Sequence, residues 1–237
     1  MKNTIKSNLL NALSFLGLIV LILIANVTPS FLITFQHSIS PVMKWVYLLL
    51  YLAYIFTFIT LLWKDYKKNQ PSSKKSFDFH WKDFGISLLF YLGVRVTVVL
   101  LTSVNSIFNH QTTSANDAAI FDTAGKTGQS FLPYSIIFFL MIGLFAPIIE
   151  ELVFRFFGST VLFHKNQKIL AGIVTSLIFS LLHSANIFDL LLYFGVGGIL
   201  YISYRRRDNV VDSIIVHILN NGIIALVLLF LTLFGTK

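Results

Sequence analysis

The chain has 237 residues, of which 56% are hydrophobic and 12% charged, with a formal net charge of +8 and a mean hydropathy of +0.78. Its apolar runs are long enough to cross a bilayer, which excludes a soluble domain and points to a multi-pass membrane protein. The basic residues lie in short loops, where anionic lipid and topology account for them and no nucleic-acid partner is implied, and the lack of cysteine excludes disulfides and thiolate chemistry.

Seven stretches approach spanning length, at about 8–27, 42–63, 85–103, 134–157, 169–187, 188–204 and 211–234. Helices satisfy their own backbones in lipid, so the expected fold is an all-α transmembrane bundle of about seven spans forming one membrane domain over 1–237. The first run follows Lys2 and Lys6 and has no clear small-residue cleavage site, so it reads as a retained span rather than a signal peptide. Lys2, Lys6, the lysines at 64–82, Lys165, Lys168 and Arg205, Arg206 and Arg207 fall on one side if the amino terminus is inside and the carboxy terminus outside. Lys64–Trp81 reads as a polar inner linker touching anionic headgroups. The polar stretch from Asn105 to Pro133 is expected on the outer side, either partly disordered or folded over that face. No internal repeat is evident. Residues 1–104 read as packing spans, because the first two hold no buried charge, and the later spans carry nearly all the polar intramembrane residues.

Glu150 and Glu151 are the only glutamates in the chain, adjacent within an apolar span. An ionisable group there costs roughly 2.5–3.5 kcal/mol on insertion scales, so the pair needs a reason. Helical spacing stacks Glu151 over Arg155 in the favourable acid-before-base order and turns Glu150 to another face without a local cation. Glu151 and Arg155 then form a neutralised structural pair, and Glu150 is the carboxylate left for chemistry. Pro147, one turn earlier, removes a backbone hydrogen bond and is expected to kink the helix and open space beside Glu150.

Two later spans add partners. Phe179 and His183 stand four residues apart, as do His217 and Asn221, so each pair shares a helix face. Asn220 points elsewhere and takes a packing or interhelical hydrogen-bonding role. Taken singly, His183 or His217 reads as an ordinary interhelical hydrogen-bond partner. Together, an unpaired Glu, two His and an Asn supply a general base, a second proton-handling group and neutral donors, the set that hydrolysis by an activated water requires. Arg95 reads as a snorkelling or counter-charge residue. His37, His80, His110 and His164 lie in loops and carry no signal. Gly195, Gly197 and Gly198 are expected to let helices approach closely.

The ordered motifs Glu150-Glu151-Leu-Val-Phe-Arg155, Phe179 to His183 and His217 to Asn221 resemble those of the CPBP, or Abi, family of intramembrane endopeptidases. That family includes CAAX prenyl endopeptidases and bacteriocin-processing and immunity proteins. The resemblance covers about 134–230, the expected catalytic core. It implies that Glu150 and His183 activate a water, that His217 and Asn221 stabilise the oxyanion, and that Glu151 and Arg155 orient the site.

The residues support the same chemistry directly, since a carboxylate withdrawn from bulk water is a better base than an exposed one. Zinc is the rival within the enzyme class, because Glu150, His183 and His217 could hold it with a water in the fourth position. There is no HExxH helix, and Asn221 beside His217 suits oxyanion donation, so the preferred reading has no metal and no cofactor. The expected substrate is a peptide or membrane-associated protein reached from the inner side of a bacterial cell membrane, such as a bacteriocin leader. Two further readings remain: a non-enzymatic immunity or scaffold protein, and a proton-coupled transporter using Glu150 and His183, for which an inverted repeat is lacking. One difficulty stands out. At 1.5 Å per residue, His217 lies only about a dozen ångströms from the inner loops and His183 about twice as deep, so the two meet only if helices tilt or extend past the membrane.

Overall fold

A computed structural model describes residues 2–70 and 80–235. The inner linker around Lys74 and Lys75, and Lys237, lie outside the described residues. The described residues form helices, which we number in chain order: α1 Lys2–Phe35, α2 Pro41–Asn69, α3 Trp81–Asn109, α4 Ala115–Thr127, α5 Leu132–Val161, α6 Lys168–His183, α7 Ile187–Arg205 and α8 Val210–Phe234. Six are long and apolar enough to cross a membrane; α6, at 16 residues, is apolar but shorter. The protein is a multi-pass membrane protein with the all-helical fold its composition predicts.

Burial ranks the helices. In its most apolar window α5 is 72% buried and α3 only 11%, so α5 is the axis of the bundle and α3 lies at its rim. The π-turns in α5 explain how an axial helix also forms a site. Backbone bonds widen over Met141–Phe145 and again over Glu151–Gly158, leaving Ala146–Glu150 as a short α-helical stretch that contains Pro147. The expected irregularity at Pro147 therefore takes the form of two flanking π-turns, a departure common at functional sites. Gly143, in the first π-turn, brings α5 against α8: a Cβ there would stand 2.9 Å from Ala225 Cβ and 3.1 Å from Gly222 Cα. Of the glycines expected to permit close approach, Gly197 lies against the Ser176 backbone and Gly195 against Thr97, whereas Gly198 meets nothing within 4 Å.

The helix starts are capped by the residues that sequence supplies there. Ser40 precedes Pro41 and caps α2, Ser114 caps α4 through the Asp117 amide, Asn186 caps α7, and Asn209 caps α8. The polar outer stretch is thus not a loose loop: it continues α3 to Asn109 and then forms the helix α4, folded over the bundle. It is held by hydrogen bonds from Ser114 to Tyr193 (2.8 Å) and from Thr127 to Thr232 (2.8 Å).

At the opposite end, Arg206 and Arg207 bridge Asp83 at the start of α3 and Asp212 at the start of α8, with N···O distances of 2.7–3.0 Å. Both carboxylates are buried. Two of the three arginines that the sequence assigns to loop topology and anionic lipid are therefore structural pins that fix where α8 begins, and with it the level of His217.

Candidate active site

Glu150 is buried on α5, and its two oxygens have different surroundings. Oε1 accepts a 2.9 Å hydrogen bond from Asn26 Nδ2 of α1. Oε2 stands 3.9 Å from His183 Nε2 and 3.9 Å from His217 Nε2. The two imidazoles do meet, despite lying fifteen residues into α6 and seven into α8. The difference of about 12 Å is taken up by staggered helix starts or tilt.

The outer nitrogens fix the imidazole tautomers. His183 Nδ1 lies 2.8 Å from the Phe179 carbonyl, which only accepts, so Nδ1 carries the proton and Nε2 presents a lone pair toward Glu150. His217 Nδ1 lies 3.0 Å from Glu151 Oε1 and donates to that carboxylate. Its Nε2 then accepts from Asn221 Nδ2, 3.4 Å away. Glu151 is fully buried and also takes Arg155 Nε at 3.2 Å. The expected Glu151–Arg155 pair is present, with His217 as a third member that helical spacing within α5 cannot reveal.

Phe179 links the two halves. Its ring carries the Arg155 guanidinium at 5.0 Å on one side and packs against His183 at 4.4 Å, with His217 edge-on at 6.0 Å. Arg155 Nη1 and Nη2 are buried with no hydrogen-bond partner among the described residues, so the Phe179 ring offers the guanidinium a cation–π contact beside its bond to Glu151.

A second line of donors runs in from α3. Arg95 Nη1 donates to Asn220 Oδ1 (3.4 Å), Asn220 Nδ2 to Asn221 Oδ1 (3.0 Å), and Asn221 Nδ2 to His217 Nε2. Every bond points the same way, ending on Glu151. Asn220 therefore has the interhelical role expected of it, and Arg95 is half-buried on the cavity wall rather than snorkelling to a headgroup.

Asn26, Arg95, Glu150, His183, His217 and the Asn220–Asn221 pair line one cavity of about 440 Å³, with apolar walls from α1 and α5, while Glu151, Arg155 and Phe179 lie behind its wall. It extends to Asn116 and Asp117 of α4, at the end of the bundle opposite the Arg206–Arg207 cluster, whereas the sequence implies access from the basic side. Tyr193, whose ring lies 5.2 Å from His183, donates to Asp117 (3.5 Å), and burial pushes the Asp117 carboxyl above its usual range. Among the described residues no group of three or more His, Asp or Glu is arranged to hold a metal ion.

Glu150, Glu151, Arg155, Phe179, His183, His217 and Asn221 are thus brought together. Sequence reasoning missed Asn26, whose signal was present: it is the only amide after Asn11 in the apolar run 8–27.

The family model for type II CAAX prenyl endopeptidase Rce1-like proteins matches residues 132–223, the segment that carries all seven. UPF0177 protein YbdI of Lactococcus lactis is 31% identical over 132 residues, covering 55% of this chain and 71% of that protein. The chain belongs to the CPBP family. Other relatives include the membrane-embedded CAAX protease MroQ of Staphylococcus aureus, 32% identical over 159 residues, or 64% of this chain and 59% of MroQ. The putative membrane peptidase YdiL of Bacillus subtilis is 30% identical over 113 residues, or 48% of this chain and 43% of YdiL. The matches to MroQ and YdiL thus span only about half of each relative's length. No solved structure matches.

Proposed function

We propose that the protein is an intramembrane endopeptidase in which Glu150 activates water against a peptide bond. Membership of the CPBP family supports the protease class, as does the naming of MroQ as a CAAX protease and of YdiL as a putative membrane peptidase. The observation that carries the glutamate reading is the position of Glu150 Oε2, equally far from two imidazole nitrogens whose other nitrogens are committed elsewhere. A gap of 3.9 Å is too long for a direct hydrogen bond but fits one water making ordinary bonds of about 2.8 Å to both sides.

In this reading the water gives one proton to Glu150 and points the other at His183 Nε2, so its lone pair faces the substrate carbonyl. As the tetrahedral oxygen gains charge, Asn221 Nδ2 donates to it. His217 joins as a donor when its Nε2 has taken a proton from solvent before the attack, and the Glu151 carboxylate behind Nδ1 stabilises that charged ring. Glu150 then returns its proton to the departing amine. The apolar walls fit a hydrophobic peptide or a segment of a membrane protein, and maturation of, or immunity to, a bacteriocin-like peptide is the role we assign.

The test is cleavage of a library of quenched hydrophobic peptides by purified protein, read by mass spectrometry, with and without chelator. Glu150→Gln should abolish cleavage, and chelator should leave the wild type active. Wild-type cleavage by Glu150→Gln would end the glutamate reading. Loss of activity that zinc restores would favour a metal held by Glu150, His183 and His217.

A further inference from the structure

Asn26 lies on α1, outside the segment 132–223 that matches the family model, and meets Glu150 across 124 positions of chain. The bond, at 2.9 Å, is shorter than those His217 and Arg155 make to Glu151, at 3.0 and 3.2 Å. The asparagine's own Oδ1 is buried and has no partner among the described residues. An asparagine that merely joined two helices would leave half its amide unpaired for no return, and an aliphatic side chain would pack there at lower cost.

The geometry of Glu150 supplies the return. A carboxylate has two equivalent oxygens and rotates readily about its last bond, so a base must be oriented as well as ionised. Asn26 occupies Oε1, and Oε2 is thereby the oxygen presented to His183 and His217. Neither imidazole does this, because each offers Glu150 a lone pair when neutral. Arg155 is spent on Glu151 and Phe179. Asn26 is the one neutral donor on this carboxylate among the described residues.

We propose that Asn26 is a positioning residue for Glu150, so that the active site includes α1 as well as the three helices carrying the motifs. This rests on the reading of Glu150 as the base. The amide, being neutral, orients the carboxylate without neutralising it, which a lysine or arginine in the same place would do.

Because Glu150 and Glu151 are the only glutamates, cell-free synthesis with ¹³C-carboxyl glutamate gives an infrared spectrum whose isotope-shifted carboxylate bands come from these two groups alone. In Asn26→Leu one band should move and the other stay, and Glu150→Gln should delete the one that moves. On the most rapidly cleaved quenched peptide, kcat should fall up to about 100-fold with KM within about threefold, as for a misaligned catalytic group. Asn26→Asp keeps the shape but sets a second carboxyl against Glu150, so the pair shares one proton and the base is no longer free; it should lose at least as much and serves if the leucine variant does not fold. Asn11→Leu removes the other amide contact of α1, to the Val161 carbonyl, and should leave both bands and kcat unchanged. Unmoved bands, or wild-type kcat in Asn26→Leu or Asn26→Asp, overturn the proposal. If Glu150→Gln is inactive while the Asn26 variants are normal, only this inference falls; if Glu150→Gln cleaves normally, the base assignment falls, and the bands still decide whether Asn26 holds Glu150.

Discussion

His217 Nδ1 donates a hydrogen bond to Glu151 Oε1 across 3.0 Å, joining α8 to α5 through two side chains that are both buried. Since Arg155 shares the same carboxylate, Glu151 answers for a buried cation and for an imidazole tautomer at once. Glu151→Gln keeps an acceptor for His217 but leaves Arg155 charged and unpaired in the core. We expect a stability loss of about 3–5 kcal/mol, seen as a lower denaturation midpoint in detergent. Adding Arg155→Met should restore much of the stability and little of the cleavage rate, because the imidazolium still lacks its countercharge. An unchanged midpoint in the single variant would mean the pairing contributes nothing.

Asn221 is the nearest amide donor to His217 Nε2, and Asn220 stands behind it. Removal of an oxyanion donor costs about 10²–10³ in kcat, so Asn221→Ala should fall in that range with KM nearly unchanged. Asn220→Ala breaks the bond that orients Asn221 within α8 and the interhelical one from Arg95. At an average of about 0.6 kcal/mol for an interhelical hydrogen bond, it should cost about threefold. Steady-state kinetics on one peptide separates the two. Equal losses would show that the donor line from Arg95 does not run in the order drawn.

What the sequence revealed and concealed at this site follows from the range of the signals. Glu151 over Arg155 and His217 beside Asn221 are contacts within one helix, fixed by helical spacing, and both are present. The meeting of Glu150 with His183 and His217 rested on motif resemblance, while a straight-helix estimate of depth argued against it; that estimate assumed untilted helices with a common starting level. Asn26 and the Arg95–Asn220 bond are long-range contacts with no periodicity to announce them. The outer stretch concealed α4 because its apolar face is thin. Its Ser114 cap with Asp117 three residues on was legible, and the helix is held by hydroxyls that pair with Tyr193 and Thr232 on distant helices.

Gly143 offers a test of the α5–α8 contact. Its missing Cβ would fall 2.9 Å from Ala225 Cβ and 3.1 Å from Gly222 Cα, and a backbone atom cannot swing aside. Gly143→Ala should push α8 off α5 and cost about 1–3 kcal/mol, as overpacking does. Because Asn221 adjoins Gly222 on that face, cleavage should fall as well. Adding Ala225→Gly relieves the tighter clash but not the backbone one, so partial recovery of both stability and rate is expected. Full tolerance of the single substitution would show that the helices stand further apart in the membrane.

Asp117 carries the pH dependence of the cavity roof. Burial raises its carboxyl above the ordinary range, against the opposing effect of Ser114, Asn116, Tyr193 and, at longer range, Arg95. The folded state therefore holds this proton more tightly than the unfolded chain. By linkage, the contribution of Asp117 to stability is greatest below the ordinary aspartate value and is lost as pH rises from there through the raised value. Hydrogen exchange of the α4 amides should accelerate over that window, beyond the intrinsic rise in exchange rate, and level off above it. Asp117→Asn cannot ionise, so its α4 protection should show no such step, while the amides of α5 should behave alike in both proteins. A step that persists in Asp117→Asn would assign the titration to another group.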